Sequence, residues 1–182
     1  MRTVEAIAQG IQPRVLYAMR EGGILETLSR GCYRLAELGP MANRDLAIVA
    51  KGAPKAVICL ISALSFHEIT TQIPHAVDLA LPAHTHRPKL GYPPVHPHWF
   101  GGESYCQGVE QHEIDGVPVA IYSPAKTVAD CFKHRNKIGL DVAIEALKLC
   151  HQRKRTTGQE FQHFAAICRV DKVMTPYLEA IL

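Results

Sequence analysis

The chain has 182 residues, 47% of them hydrophobic, and a formal net charge of +3. That length holds one domain, or a small domain ahead of a larger one, and the apolar fraction excludes an intrinsically disordered chain. The weak positive charge permits contact with nucleic acid without demanding it.

No basic tail marks a DNA-binding end, since the first 46 residues carry six Arg against five acids. The six cysteines (Cys32, Cys59, Cys106, Cys131, Cys150 and Cys168) are scattered, and four of them (59, 131, 150 and 168) fall in predicted helices. They read as small buried hydrophobes in a reducing compartment rather than as a disulfide framework. The most apolar run, Ala56–Phe66, is too short to span a bilayer, and no signal peptide is recognisable. A soluble, cytoplasmic protein with no membrane partner is expected.

The first predicted helix is Thr3–Gln9, ending at Gly10. Pro13 opens a second, which Gly22-Gly23 closes. In that second helix Val15, Leu16 and Met19 form the apolar side. Arg14, Tyr17 and Glu21 project opposite, with Arg20 on the flank. Ile24–Leu28, a Ser-Arg-Gly turn and Cys32–Leu35 then read as a β-hairpin. Two short helices and a hairpin make a helix-turn-helix with a wing, whose tip is Arg30. In that arrangement Arg14, Tyr17, Arg20 and Arg30 are the candidate DNA contacts, because Arg can grip guanine or phosphate. The bland alternative is a protein-binding module, which the same pattern also serves.

Ala36–Ala42 is the predicted linker, separating a first unit over 1–38 from a second over 43–182. Asn43 is the predicted cap of a helix over Arg44–Lys51, ended by Gly52 and Pro54. Val57–Phe66 reads as a buried central helix, with a buried strand as the alternative. Val77–Leu81 is a short strand. From Pro82 to Gly102 an irregular loop is expected, with strand character only at Val95–Phe100. Val109–Ile114 and Val117–Tyr122 flank Asp115-Gly116, a hairpin signal. Ser123 and Pro124 then start a helix with Ala125, Val128, Ala129 and Phe132 on one side. Lys126, Asp130 and His134 fall on another, at i, i+4 and i+8. A following helix places Leu140, Ile144 and Leu147 inward, with Asp141, Glu145 and Lys148 outward. Two final helices are expected over Gln159–Cys168 and Lys172–Leu182.

Three segments carry a resemblance: Gly23–Leu35, Val57–Pro74 and, most of all, Ser123–Leu147 (SPAKTVADCFKHRNKIGLDVAIEAL). Together they resemble the AbiEi antitoxins, the antitoxin half of type IV toxin–antitoxin pairs in abortive phage infection. The resemblance is one of ordered segments and covers most of the chain. It implies an α+β protein: a winged helix-turn-helix followed by a mixed domain of antiparallel strands and packed helices. Family members begin with a further helix for which this chain has no room ahead of Thr3, so a partial winged helix is expected. The implied partners are operator DNA, through which such proteins repress their own operon, and a nucleotidyltransferase-like toxin. The implied antitoxin module includes Lys126 and Asp130.

Catalytic fingerprints are missing. There is no Gly-rich phosphate loop, no G-x-S-x-G and no kinase motif set. His84-x-His86 and His96-x-His98, with His75 nearby, have metal-binding spacing but lack Cys-x-x-Cys or carboxylate company, so neither metal nor cofactor is expected. Asp130 could orient His134 for base chemistry. The plainer readings of the Lys126–Asp130–His134 stripe are a solvated face, an interaction surface or a brace within the domain. A stand-alone transcriptional regulator, or an enzyme acting on the toxin or its product, are the competing functional classes.

Overall fold

The computed structural model describes residues 3–29, 31–36 and 43–181. Helices α1 (Thr3–Ala8) and α2 (Pro13–Glu21) precede an antiparallel hairpin of β1 (Leu25–Ser29) and β2 (Cys32–Leu35). Pro13 starts α2 where a missing N–H costs nothing, and Gly23 turns the chain out of it at φ +73°. Ala6, Leu16, Leu25 and Tyr33 form a small core of their own, with Ile11 and Met19 packed against it. The Thr3 N–H and hydroxyl both donate to the Gly31 carbonyl, at 2.9 and 3.2 Å, and tie the start of α1 to the hairpin turn. Val15 is 43% exposed, so the apolar side of α2 narrows to Leu16 and Met19. Most of the predicted linker, with Arg30 of the predicted wing tip, lies outside the described residues.

The rest is α+β, built on one five-stranded sheet. In chain order come α3 (Arg44–Gly52), β3 (Val57–Ile58), α4 (Leu60–Phe66), β4 (Val77–Pro82) and β5 (Val95–Phe100). Then follow α5 (Glu103–Cys106), β6 (Val109–Ile114) and β7 (Val117–Tyr122). Asn43 adopts a left-handed conformation ahead of α3 and makes no side-chain cap bond, contrary to expectation. The apolar run expected as one helix is split. Val57 and Ile58 pair with strands on both sides, and the helix begins only at Leu60. A segment buried all round has no periodicity to reveal such a break.

Strand order is β5-β4-β3-β7-β6. The expected antiparallel arrangement is corrected to a mixed one, because β4–β5 and β3–β7 pair in parallel. Residues 83–94 are long enough to carry the chain back to the start of β5, which a parallel neighbour requires. The β6–β7 hairpin has the predicted bounds. Asp115 and Gly116 sit at φ +48° and +70°, the positive pair demanded by a tight two-residue turn. Pro118 is tolerated within β7 because β3 contributes only Ile58 opposite Ile121. Beyond that point β7 bonds β6 alone, and the missing N–H falls on the open side.

One sheet face packs on α3 through Val77, Leu79, Val119 and Ile121. The other carries α4 and the remaining helices: α6 (Pro124–Lys133), α7 (Arg135–Ile138), α8 (Leu140–Gln152), α9 (Gly158–Cys168) and α10 (Asp171–Ile181). Ser123 caps α6 as expected, its hydroxyl accepting from the Lys126 N–H at 3.4 Å. Every residue from Ala125 to Phe132 is buried, because α4, α8, α9 and α10 enclose α6. The buried face of α8 is Val142, Ala143, Ala146, Leu147 and Cys150, and Leu140 is exposed, so that helix is rotated from its expected setting. Among the described residues no helix is long and apolar enough to cross a membrane.

Gly108 fixes how closely the start of β6 approaches the helices. At φ +74°, a Cβ there would stand 2.8 Å from both Lys126 Cβ and Phe164 Cε1. Gly108→Ala is expected to destabilise the protein by ~1–3 kcal/mol through overpacking. A urea midpoint equal to that of the parent protein would contradict this packing.

Candidate functional site

On α2, Arg14, Tyr17 and Arg20 are exposed, as the sequence predicts. The Arg20 guanidinium lies 5.4 Å from the centre of the Tyr17 ring and 3.6 Å from the Glu21 carboxylate. Both contacts are at the surface and weak, so Arg20 remains available to a phosphate at little cost.

Lys126, Asp130 and His134 do share a side of α6, but that side is not a surface. Lys126 and Asp130 are wholly buried, which corrects the solvated-face and interaction-surface readings and leaves the brace. Lys126 Nζ donates to Asp130 Oδ2 at 2.5 Å. Two aromatic rings cover the ammonium: Tyr122 at 4.1 Å and Phe100 at 5.1 Å from their centres. The Cys168 thiol donates to Asp130 Oδ1 at 3.2 Å. A single ion pair thereby joins β5, β7, α6 and α9. The Tyr122 hydroxyl donates onward to the Tyr105 carbonyl at 2.7 Å, and His67 Nε2 lies 2.8 Å from the Tyr122 carbonyl oxygen.

His134 is half-buried at the end of α6, where its backbone N–H donates to the Asp130 carbonyl at 2.9 Å while its ring makes no bond to the Asp130 carboxylate. Its ring stacks on Phe100 at 5.5 Å and meets His98 edge-on at 5.6 Å. Its Nε2 is buried with no hydrogen-bond partner. His98 Nε2 is held by Asp78 Oδ1 at 2.9 Å, and His96 Nδ1 lies 3.9 Å from the same oxygen. His96 and His98 thus meet one carboxylate, whereas His75, His84 and His86 are exposed. Among the described residues no group of three or more His, Cys, Asp or Glu is placed to hold a metal ion.

Burial dominates the electrostatics. It raises the Asp130 carboxyl above its ordinary value, with Lys126 opposing the shift. It pushes the Cys168 thiol to about 12, reinforced by Asp130, and lifts Cys59 and Cys131 well above the usual thiol value. The Tyr122 hydroxyl is raised for the same reason. These thiols stay protonated at neutral pH, so none is an activated nucleophile. The five cysteines with described side chains are free. Phe100, Tyr122 and Cys168 carry no mark in the sequence of belonging to this network. The one available signal is Lys126 and Asp130 four apart in a helix with no polar residue between them save Thr127.

Removing one member of the pair should cost far more than removing both. Lys126→Met is expected to destabilise by ~3–5 kcal/mol by stranding a buried carboxylate, while Lys126→Met with Asp130→Leu recovers most of that. Denaturant midpoints of the single and double variants measure the coupling, and additive losses would deny it. His134 adds a pH dependence. Burial, then His98 and nearby lysines, lower its pKa from 6.5 to about 4, so the folded state favours the neutral ring. Its contribution is complete above pH 6.5 and is lost as pH falls toward 4. His134→Phe, which keeps the stack on Phe100, is expected to flatten the acid side of a melting-temperature profile across that window.

A scan against protein-family models and a search of curated proteins each return no match for this chain.

Proposed function

We propose that the chain is an antitoxin-type regulator: its first unit holds operator DNA, and its second counters a nucleotidyltransferase-like toxin. One observation carries the DNA half of this reading. The α1–α2–β1–β2 unit closes on its own small core and leaves Arg14, Tyr17 and Arg20 of α2 facing outward. A helix presenting arginines beside a hairpin supports a reading in which the helix enters a major groove and the hairpin lies along the backbone. The antitoxin half rests on the resemblance of Ser123–Leu147 to the AbiEi family. Those residues make up α6, α7 and most of α8, the packed centre of the second unit. In this reading Lys126 and Asp130 serve antitoxicity by holding that centre together, and any surface that meets a toxin is displayed by the elements around them.

Fluorescence anisotropy with the DNA upstream of the gene tests the first half. Replacing Arg14 and Arg20 by Ala is expected to weaken binding and to make log K fall less steeply with log salt, by about 1 in slope for each phosphate no longer neutralised. Equal affinity and equal slope after both replacements would refute the assignment. Growth rescue on co-expression with a nucleotidyltransferase-like protein encoded beside the gene tests the second half. A folded protein that gives no protection would reject it.

A further inference from the structure

A cavity of about 800 Å³ opens where the β5–α5 turn, the α6–α7 corner and the α9–α10 turn meet. Three cations line it: Lys133 from the last turn of α6, Arg135 from α7, and Arg169 just past α9. Glu103 is the lone acidic side chain on its wall, and Gly101-Gly102 form a rim without side chains. Among the described residues none of the three cations makes an ion pair. Lys133 has a 3.4 Å bond to the Ser104 hydroxyl and a distant cation–π contact with Phe100 at 6.0 Å, and Arg135 commits one N–H to the Phe132 carbonyl at 2.9 Å, leaving most of its fork free. The buried carboxylate behind the floor, Asp130, is answered first by Lys126 and the Cys168 thiol, with Lys133 adding a smaller share, so the floor brings no net negative charge.

Like charges brought together from three separate elements repel unless an anion sits among them. No aromatic ring lines the cavity, so nothing there would stack on a nucleobase. The lining has donors in plenty and only one carboxylate, the composition suited to the clustered oxygens of a phosphoanion. We infer that this cavity is a binding site for a small polyphosphate anion, either pyrophosphate or the phosphate tail of a nucleoside triphosphate. The inference does not depend on the DNA-binding reading, which uses other residues, and although Lys133 and Arg135 fall within Ser123–Leu147 it draws on their charge and placement and not on the resemblance of that segment.

Arg169 makes the test clean. It occupies the left-handed position that ends α9 (φ +58°, ψ +44°), where glycine is the preferred residue. Arg169→Gly therefore removes the guanidinium at a backbone position that suits its replacement. Lys133→Gln is the second variant, at an exposed residue held by one long hydrogen bond and one distant contact with the Phe100 ring. Isothermal titration of the full chain with pyrophosphate, with ATP and with adenosine, at about 150 mM salt, gives the readout. The expected result is one site for pyrophosphate and for ATP, no binding of adenosine, and at least about a tenfold loss of affinity in each variant. Pyrophosphate binding without ATP binding assigns the site to the free anion, and comparable binding of both assigns it to the phosphate tail. No heat with either at about 1 mM, or equal affinity in the folded variants, would overturn the proposal. So would binding of random-sequence duplex DNA that both substitutions abolish, because the cavity would then belong to a nucleic-acid surface.

Discussion

The five-stranded sheet and its helices are arranged around a charge that has nowhere to go. Asp130 lies at the centre of α6 with no access to water, and burial alone would drive its carboxyl toward the neutral form. Lys126 one turn earlier supplies the counter-charge, yet an ammonium brought in to balance a carboxylate must itself be desolvated. Tyr122 and Phe100 meet that requirement with their ring faces, and the Cys168 thiol occupies the carboxylate oxygen that Lys126 does not use. Each partner comes from a different element. The pair consequently specifies where β5, β7 and α9 stand around α6, something apolar contacts alone would define less sharply.

The close fit extends outward from that point. Gly108 lets the backbone pass directly over Lys126, and the Gly108 carbonyl accepts the Ser123 N–H at 2.7 Å, anchoring the start of α6. Ser62 performs a similar service at the other end of the sheet. Its hydroxyl accepts the Asp78 N–H at 2.8 Å and donates to the Ala76 carbonyl, so a polar residue in an apolar helix binds α4 to β4. Asp78 in turn orients His98 against His134. Ser62, Asp78 and His98 are therefore joined to one another rather than left isolated among hydrocarbon.

Much of the architecture is legible where local chemistry decides it. The β6–β7 hairpin is readable from Asp115-Gly116, and the start of α6 from Ser123-Pro124, because a turn type and a cap are set by the residues that form them. What escapes is decided by distant partners. Val57–Ile58 is a strand only because β4 and β7 lie on either side, and neither neighbour is visible from the segment itself. The parallel pairings of β4 with β5 and β3 with β7 leave no mark on an apolar run. The Lys126–Asp130–His134 pattern is visible, but helical spacing gives direction and not depth. Only the surrounding helices turn an apparent outer stripe into an interior one. The cation-lined cavity has no sequence signature, since Lys133, Arg135 and Arg169 converge through the α9–α10 turn.

The two borders of the sheet have a bearing on how copies of this chain meet. β5 forms one border and carries Pro97 at its middle, opposite Leu79, so its outer backbone cannot offer an unbroken row of donors. β6 forms the other, with Glu110 and Glu113 along it. A second sheet approaching edge to edge would meet a missing donor on one side and like charge on the other. Both borders therefore carry features that disfavour self-association by strand addition, in a chain that is nearly half apolar.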